Sequence, residues 1–361
     1  MILAGGKGSR MVSRIPKVLH KVCGKEMVRY PVDAFKQSAI GKICVVVSPD
    51  IKEPIRNLLG DTVEYILQPH ALGTGDALLS AANSLQGKVD RLIVIGADSP
   101  LITNSMLNAL MAFHMEKNLC ISLLTAHNSP NHDMGRVIRD TNSKIKSIIE
   151  VGSEKNSIDY DTEINGGVYC FESNWLWKNL TQVKPSPNGE RFLTTLISMG
   201  SSDGVSIDAL VHPDPLDLLG VNDRLQLTLV EAIERKRIRE KWMRQGVTLL
   251  DPVSTFIDAT VTLGQDTMIY PNTLLLGHSH IKDNCILGPG TFIKDTSIGS
   301  QCHIKMSVIE EAILENNVEV GPFSHIRSGS HIDQGAYIGN FAEVNESRLG
   351  HGVKMGHFGY V

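Results

Sequence analysis

The stretch LGQDTM-IYPNTL-LLGHSH-IKDNCI-LGPGTF-IKDTS, residues 263–297, decides the fold of the second half of this chain. Every sixth residue in it is aliphatic: Leu263, Ile269, Leu275, Ile281, Leu287 and Ile293. After a slip of one residue the series continues at Ile298 and Ile304. A second register runs through Val308, Leu314, Val320, Ile326, Ile332, Ile338 and Val344, and Leu349, Met355 and Val361 follow after another slip. An antiparallel sandwich would instead alternate strictly and break at hairpin turns. A period of six places one side chain per hexad in a continuous core, so the spacing predicts a parallel β-helix, with roughly five coils over 263–361. The series stops on a core position, and the solenoid reads as cut rather than finished.

Immediately upstream the pattern changes. Over 223–245, Leu225, Leu229, Ile233 and Ile238 recur at near-helical spacing and Gly246 follows as a stop, so this is a linker helix. Its basic cluster, Arg235, Lys236, Arg237 and Arg239, reads as a solvated face. From residue 1 to about 222, continuous apolar runs at 43–47, 65–67, 92–95 and 121–124 alternate with helical patterns near 76–84 and 105–115. Strands of that kind separated by helices form a mostly parallel sheet covered on both faces, a doubly wound α/β domain. The expected organisation is a domain at 1–222, a linker helix at 223–246 and a β-helix at 247–361.

The formal charge of −4 comes without a basic stripe, which argues against nucleic acid as a partner. No apolar run approaches a membrane span. The six cysteines lie far apart with no Cys-x-x-Cys pair, so they read as reduced thiols, and glycines arrive at Gly5 and Gly6 before any leader could form. The expected location is the cytoplasm. Met1-Ile2-Leu3 is a short stub for a first strand, which predicts missing residues upstream.

Leu3-Ala4-Gly5-Gly6-Lys7-Gly8-Ser9-Arg10-Met11 follows that stub. Glycine lets backbone N–H groups turn onto polyphosphate oxygens, although tight turns collect glycines too, and the loop matches neither the Walker pattern nor G-x-G-x-x-G. Arg10 and Lys17 add two cations near the same phosphates. Nucleotidyl transfer needs such charges, together with a divalent metal, on the α-phosphate and the departing pyrophosphate. Asp98, directly after an apolar run, would face the ligand crevice of the sheet and is the candidate metal ligand, with an ordinary turn residue as the alternative.

Together with Ile15-Pro16-Lys17-Val18-Leu19-His20, Leu72-Gly73-Thr74-Gly75, Glu163-Ile164-Asn165-Gly166-Gly167, Gly220-Val221-Asn222-Asp223-Arg224-Leu225 and Gly321-Pro322-Phe323, the loop occurs in the order of one family. The chain resembles, over essentially its whole length, the bacterial bifunctional N-acetylglucosamine-1-phosphate uridylyltransferase and glucosamine-1-phosphate acetyltransferase. The resemblance implies uridylyl transfer from UTP to N-acetylglucosamine 1-phosphate, a left-handed β-helix and a homotrimer. It implies that Leu3, Ala4, Gly5, Gly6 and Arg10 hold the nucleotide, that Lys17 meets its phosphates, and that Gln68, Gly73 and Thr74 read the uracil. Asp98 and Asn222 would bind Mg²⁺, and Gly135, Glu150, Asn165 and Thr194 would contact the acetamido sugar. Gly152, Phe192 and Thr195 depart from the family pattern around that sugar.

For the second activity, Arg327, His357 and Tyr360 match the family's sugar-phosphate, general-base and neighbouring positions. Asn345 stands where a Lys should bind the sugar phosphate, and the chain stops before the residues that hold acetyl-CoA, so no acetyl transfer is expected unless the missing C-terminal coils are supplied, in which case the enzyme would be bifunctional and use acetyl-CoA. Two alternatives stay open. One is a thymidylyl- or adenylyl-transferase, whose spacer between the loop Arg and the Lys is longer. The other is a non-catalytic β-helix scaffold, against which Arg10, Lys17, Asp98 and Asn222 speak.

Overall fold

The structure, a computed structural model, describes residues 1–38, 40–127, 134–150, 163–187 and 189–361. It divides into two compact units, Met1–His20 with Glu26–Val230, and Lys21–Lys25 with Glu231–Val361. The division therefore falls inside the linker helix rather than at its ends, and residues 21–25 go with the second unit.

The first unit is built on a nine-stranded sheet. Its strands are β1 (Ile2–Leu3), β2 (Cys44–Val47), β3 (Glu64–Leu67), β4 (Arg91–Gly96), β5 (Ile121–Ala126), β6 (Arg136–Arg139), β7 (Ile145–Ile149), β8 (Ile164–Glu172) and β9 (Ile207–Val211). The order is β9-β5-β8-β4-β1-β2-β3, with β6 pairing β8 and β7. The helices are α1 (Arg29–Lys36), α2 (Pro49–Leu59), α3 (Thr74–Leu79), α4 (Ala82–Leu85), α5 (Asn104–Glu116), α6 (Ser173–Leu180) and α7 (Thr195–Ser202). The helical pattern read at 76–84 thus falls on two short helices.

Alternate residues of one strand feed two separate cores. Val45, Val47, Ile93 and Ile95 pack with Phe35 of α1, Ile55 of α2 and Leu107 and Leu110 of α5. Cys44, Val46, Leu92 and Val94 pack with Leu78 of α3, Leu176 of α6 and Leu196 of α7. That is why these strands read as unbroken apolar runs, since both faces exclude water. Strand β8 runs antiparallel to β4 and β5, pairing Val168 with Ile95 and Asn165 with Thr125. Its first residues consequently lie at the same edge as the carboxyl ends of β1, β4 and β5, where ligands of such sheets bind.

In the second unit, three parallel sheets of seven, six and six strands stack one coil on the next. The core column is the predicted one with three corrections. It begins earlier, at Leu249 and Ile257. Its residue in the middle register is Ile309, fully buried, not Val308, which is 36% exposed. Ile304, Ile309 and Leu314 are five apart, because two coil corners are each one residue shorter, and with two adjacent aliphatics a strict period of six picks the wrong one. At the far end Met355 is half-buried and Val361 is 48% exposed.

Two further signals recur along the coils. Two residues before the core aliphatic the chain places a small residue, such as Thr267, Ser279, Cys285, Thr296, Cys302 or Ser324, all buried. Several Thr and Ser hydroxyls there donate to backbone carbonyls, Thr267 to Lys282 O and Ser279 to Leu276 O, and so stay satisfied on burial, whereas Thr291 Oγ1 has no partner among the described residues. Three residues after it, Asp266, Asn272, Asn284 and Asn317 take φ 58–59°, a left-handed turn conformation that Asn and Asp tolerate.

The linker helix, α8 (Arg224–Arg244), buries Val230, Ile238 and Trp242. The expected stripe was partly wrong: Leu225 is 82% exposed and Leu229 is also exposed. Among the described residues, no helix is long and apolar enough to cross a membrane.

Candidate active site

The site grows from three strand-end segments. Backbone bonds Ala4 N to Val46 O (2.8 Å) and Ala97 N to Leu3 O (2.9 Å) set the Gly-rich loop beside the segment that follows β4. Val221 N donates to Asp98 O at 2.8 Å, bringing Asn222 to the same place. The Lys17 ammonium donates to Asp98 Oδ2 at 2.5 Å and to Asn222 Oδ1 at 3.2 Å. Its own seat requires glycine: Gly8 has φ +60°, and a Cβ there would lie 2.5 Å from Lys17 Cβ. Asn222 is steadied in turn, because its N–H donates to Gln226 Oε1 while Asp223 Oδ1 accepts from Gln226 N, both at 2.8 Å, at the start of α8.

Asp98 and Asn222 thus present two hard oxygen donors already converging on one cation, the donor chemistry that suits Mg²⁺. Arg10 is exposed on the loop and has no bonded partner among the described residues, leaving its guanidinium available to an anion. Close by, His20 is buried and 3.4 Å from Arg224; burial first, then that guanidinium, push its pKa below the usual imidazole value.

Gln68, Gly73 and Thr74 form a second group. Gln68 Nε2 donates to Gly73 O at 3.2 Å. Gly73 has φ +99° and a Cβ there would lie 2.5 Å from Arg191 O, so only glycine fits. Thr74 Oγ1 accepts from Leu193 N at 2.9 Å. The four sugar candidates also meet: Asn165 N donates to Gly135 O at 2.9 Å, Gly135 lies beside Glu150, and Thr194 Oγ1 donates to Glu150 Oε1 at 2.9 Å. Asn165 Nδ2 reaches the Tyr169 hydroxyl at 2.6 Å. That phenol is fully buried, and burial pushes its pKa up.

In the β-helix, Arg327 donates to Glu343 at 2.7 Å and the Glu343 backbone bridges to Tyr360. His357 packs edge-on against Phe358, with ring centroids 5.5 Å apart.

Residues 1–214 match the model of the nucleotidyl transferase family. Over the whole chain the sequence is 37% identical to bifunctional protein GlmU of Halalkalibacterium halodurans and 40% identical to those of a Geobacillus species and Clostridium novyi, covering 79% of each relative. The chain belongs to the GlmU family of nucleotidyl transferases. Among solved structures, CMP:2-keto-3-deoxy-manno-octonic acid synthetase with CTP aligns at TM-score 0.50 and 18% identity, over 65% of this chain and 98% of that one. A putative glucose-1-phosphate thymidylyltransferase of Bacillus anthracis aligns at 0.53 and 22%, over 64% and 93%. At those identities the likeness is one of fold.

Within this GlmU-family chain, sequence reasoning missed the residues that hold the candidates in place. They are Gln226 behind Asn222, Tyr169 behind Asn165, and Asp76 and Arg191 around Gln68 and Gly73. Only Gln226 had a readable signal, three residues after the helix-capping Asp223. Gly152 lies outside the described residues.

Proposed function

We propose that this chain transfers a uridylyl group from UTP to N-acetylglucosamine 1-phosphate, giving UDP-N-acetylglucosamine and pyrophosphate for cell-wall and lipopolysaccharide precursors. The carrying observation is the meeting of Lys17, Asp98 and Asn222 at the carboxyl edge of the sheet. A phosphate oxygen of the sugar phosphate attacks the α-phosphorus of UTP. As that P–O bond forms, the bond from the α-phosphorus to the bridging oxygen of the leaving pyrophosphate breaks in line. No side chain becomes a nucleophile, so the residues act through charge and position.

Lys17 and Arg10 neutralise phosphate oxygens; in the loop from Leu3 to Gly6, where the Ala4 N–H already donates to Val46 O, the N–H groups of Gly5 and Gly6 turn onto them. Asp98 and Asn222 would hold Mg²⁺, which when bound spreads the charge of the transferring phosphates. Gln68, Gly73 and Thr74 read the base; Gly135, Glu150, Asn165 and Thr194 fix the acetamido sugar. The reading includes a homotrimer assembled through the β-helix, checked by sedimentation, and a cytoplasmic location, which suits six cysteines that are all free thiols.

Pyrophosphate release, measured with each nucleotide and sugar phosphate in turn, tests this. Turnover is expected with UTP, N-acetylglucosamine 1-phosphate and Mg²⁺, and not in excess chelator; full turnover in chelator would sink the metal assignment.

The relatives' name, bifunctional, raises a second reaction, acetyl transfer from acetyl-CoA to glucosamine 1-phosphate through Arg327, His357 and Tyr360. Against it, the Arg327 guanidinium is engaged by Glu343, and Asn345 offers an amide rather than a cation. Thiol release from acetyl-CoA on adding glucosamine 1-phosphate would establish that second reaction.

A further inference from the structure

We propose that Asp76 sets the base specificity of this enzyme by locking the Gln68 side-chain amide in one orientation, an inference that rests on the uridylyl-transfer reading above. Gln68 is 3% exposed. Its Nε2 donates both to Gly73 O at 3.2 Å and to Asp76 Oδ2 at 3.0 Å, which uses both hydrogens of the amide. Both partners are oxygens with no hydrogen to give. A flipped amide would press Oε1 against two acceptors and bury an unpaired NH₂, so the flip is closed. Asp76 is itself steadied by Arg191, whose Nη1 lies 3.8 Å from Oδ1.

The lock fixes what the nucleotide loop meets. Gln68 Oε1 points at Gly5, where a Cβ would lie only 2.4 Å away. The loop that takes the nucleotide therefore has a buried acceptor behind it and no donor from this side chain. Uracil offers an N3–H at its pairing edge, whereas cytosine carries a bare N3 lone pair in the same place. A fixed acceptor pairs with the first and opposes the second, and selection by a buried group left unpaired is the strong kind. Thymine keeps the same N3–H, so the lock does not separate it from uracil, and dTTP serves as an internal control. Asp76 is a positioning residue, acting through Gln68.

The test is kcat/KM of the full chain for UTP, CTP and dTTP, each with N-acetylglucosamine 1-phosphate and Mg²⁺, for the wild type, Asp76→Ala and Asp76→Asn. The Ala variant removes one acceptor and leaves Gly73 O. The Asn variant can turn its own NH₂ toward Gln68 and accept the flipped amide. The expected UTP-over-CTP preference falls in the order wild type, Ala, Asn, by about tenfold or more in Asn, while UTP over dTTP holds. UTP-over-CTP ratios within about twofold of wild type in both variants would overturn the lock, because unpaired polar groups discriminate by far more than that. A parallel fall in both ratios would also overturn it, since that is general loosening of the pocket. No UTP turnover by the wild type would overturn the uridylyl reading and the lock together; UTP turnover with unchanged ratios removes the lock alone.

Discussion

In the β-helix, Ile293 pairs with Leu275 on one side and Ile309 on the other because the same hexad is laid down again one coil later. In the α/β unit, Lys17 lies between Asp98 and Asn222 because segments 81 and 205 residues away return to one edge of a sheet. The first arrangement is local and repeated, so each core position is supported by its neighbours above and below. The second occurs once among the described residues, with no repeat above or below to support it. A change in the β-helix should therefore be read out as stability, and a change at the Lys17 cluster as rate.

The largest expected effect breaks the unrepeated arrangement. Asp98→Ala and Lys17→Ala should each lower kcat for pyrophosphate release by about 10²–10³-fold, the usual loss for one preorganised charge, with the thermal midpoint nearly unchanged. A large drop in that midpoint would make Asp98 a structural turn residue. Next comes the register of the repeat. Ile309→Ala should cost about 2–5 kcal/mol in denaturant unfolding, whereas Val308→Ala should cost about 0.5 kcal/mol or less. Equal costs would mean that the coil corner is drawn one residue out.

Gly8→Ala sharpens the comparison, since it changes one atom at a position fixed by sterics. Forcing an L side chain to φ +60° costs about 1–2 kcal/mol. The added methyl also displaces Lys17, so kcat should fall by about tenfold or more, as small misplacements do. Stability lost without any change in kcat would show that Lys17 is not held by this contact.

The smallest effect is on acid stability. His114 is fully buried, with Nδ1 2.9 Å from Ser122 Oγ, and burial pushes its pKa below the usual value, with Glu172 opposing the shift. Below about pH 6.5 the unfolded chain takes up a proton that the folded chain resists, so stability of the α/β unit falls as pH drops through that point and is unaffected above it. His114→Gln should flatten the slope between neutral and mildly acid pH in denaturant titrations. An unchanged slope would assign the acid sensitivity elsewhere, with His20, shifted the same way, as the next position to replace.

How far the sequence could be read follows the same division. The β-helix was legible because every coil must supply an aliphatic, and the error at Val308 arose where two corners shorten and two aliphatics adjoin. In α8, Leu225 and Leu229 lead to the buried Ile238 at a helical period as well as Val230 does, and periodicity alone cannot choose between faces that overlap. The phosphate and metal candidates came from glycine, lysine and a carboxylate whose residue types also suit ordinary turns, with Asn222 supplied by the family resemblance; that Lys17, Asp98 and Asn222 meet is visible only in the fold. Asp76 and Tyr169 were not legible, since each matters only through the side chain it happens to face after folding, Gln68 for the one and Asn165 for the other.

The central claim is that the transfer site is complete within the first unit, and segment 1–230 tests it most directly. Purified and shown to be folded by circular dichroism, it should release pyrophosphate from UTP and N-acetylglucosamine 1-phosphate at the rate of the full chain, and lose that activity in Asp98→Ala. A folded segment that turns over nothing, beside an active full chain, would contradict the account.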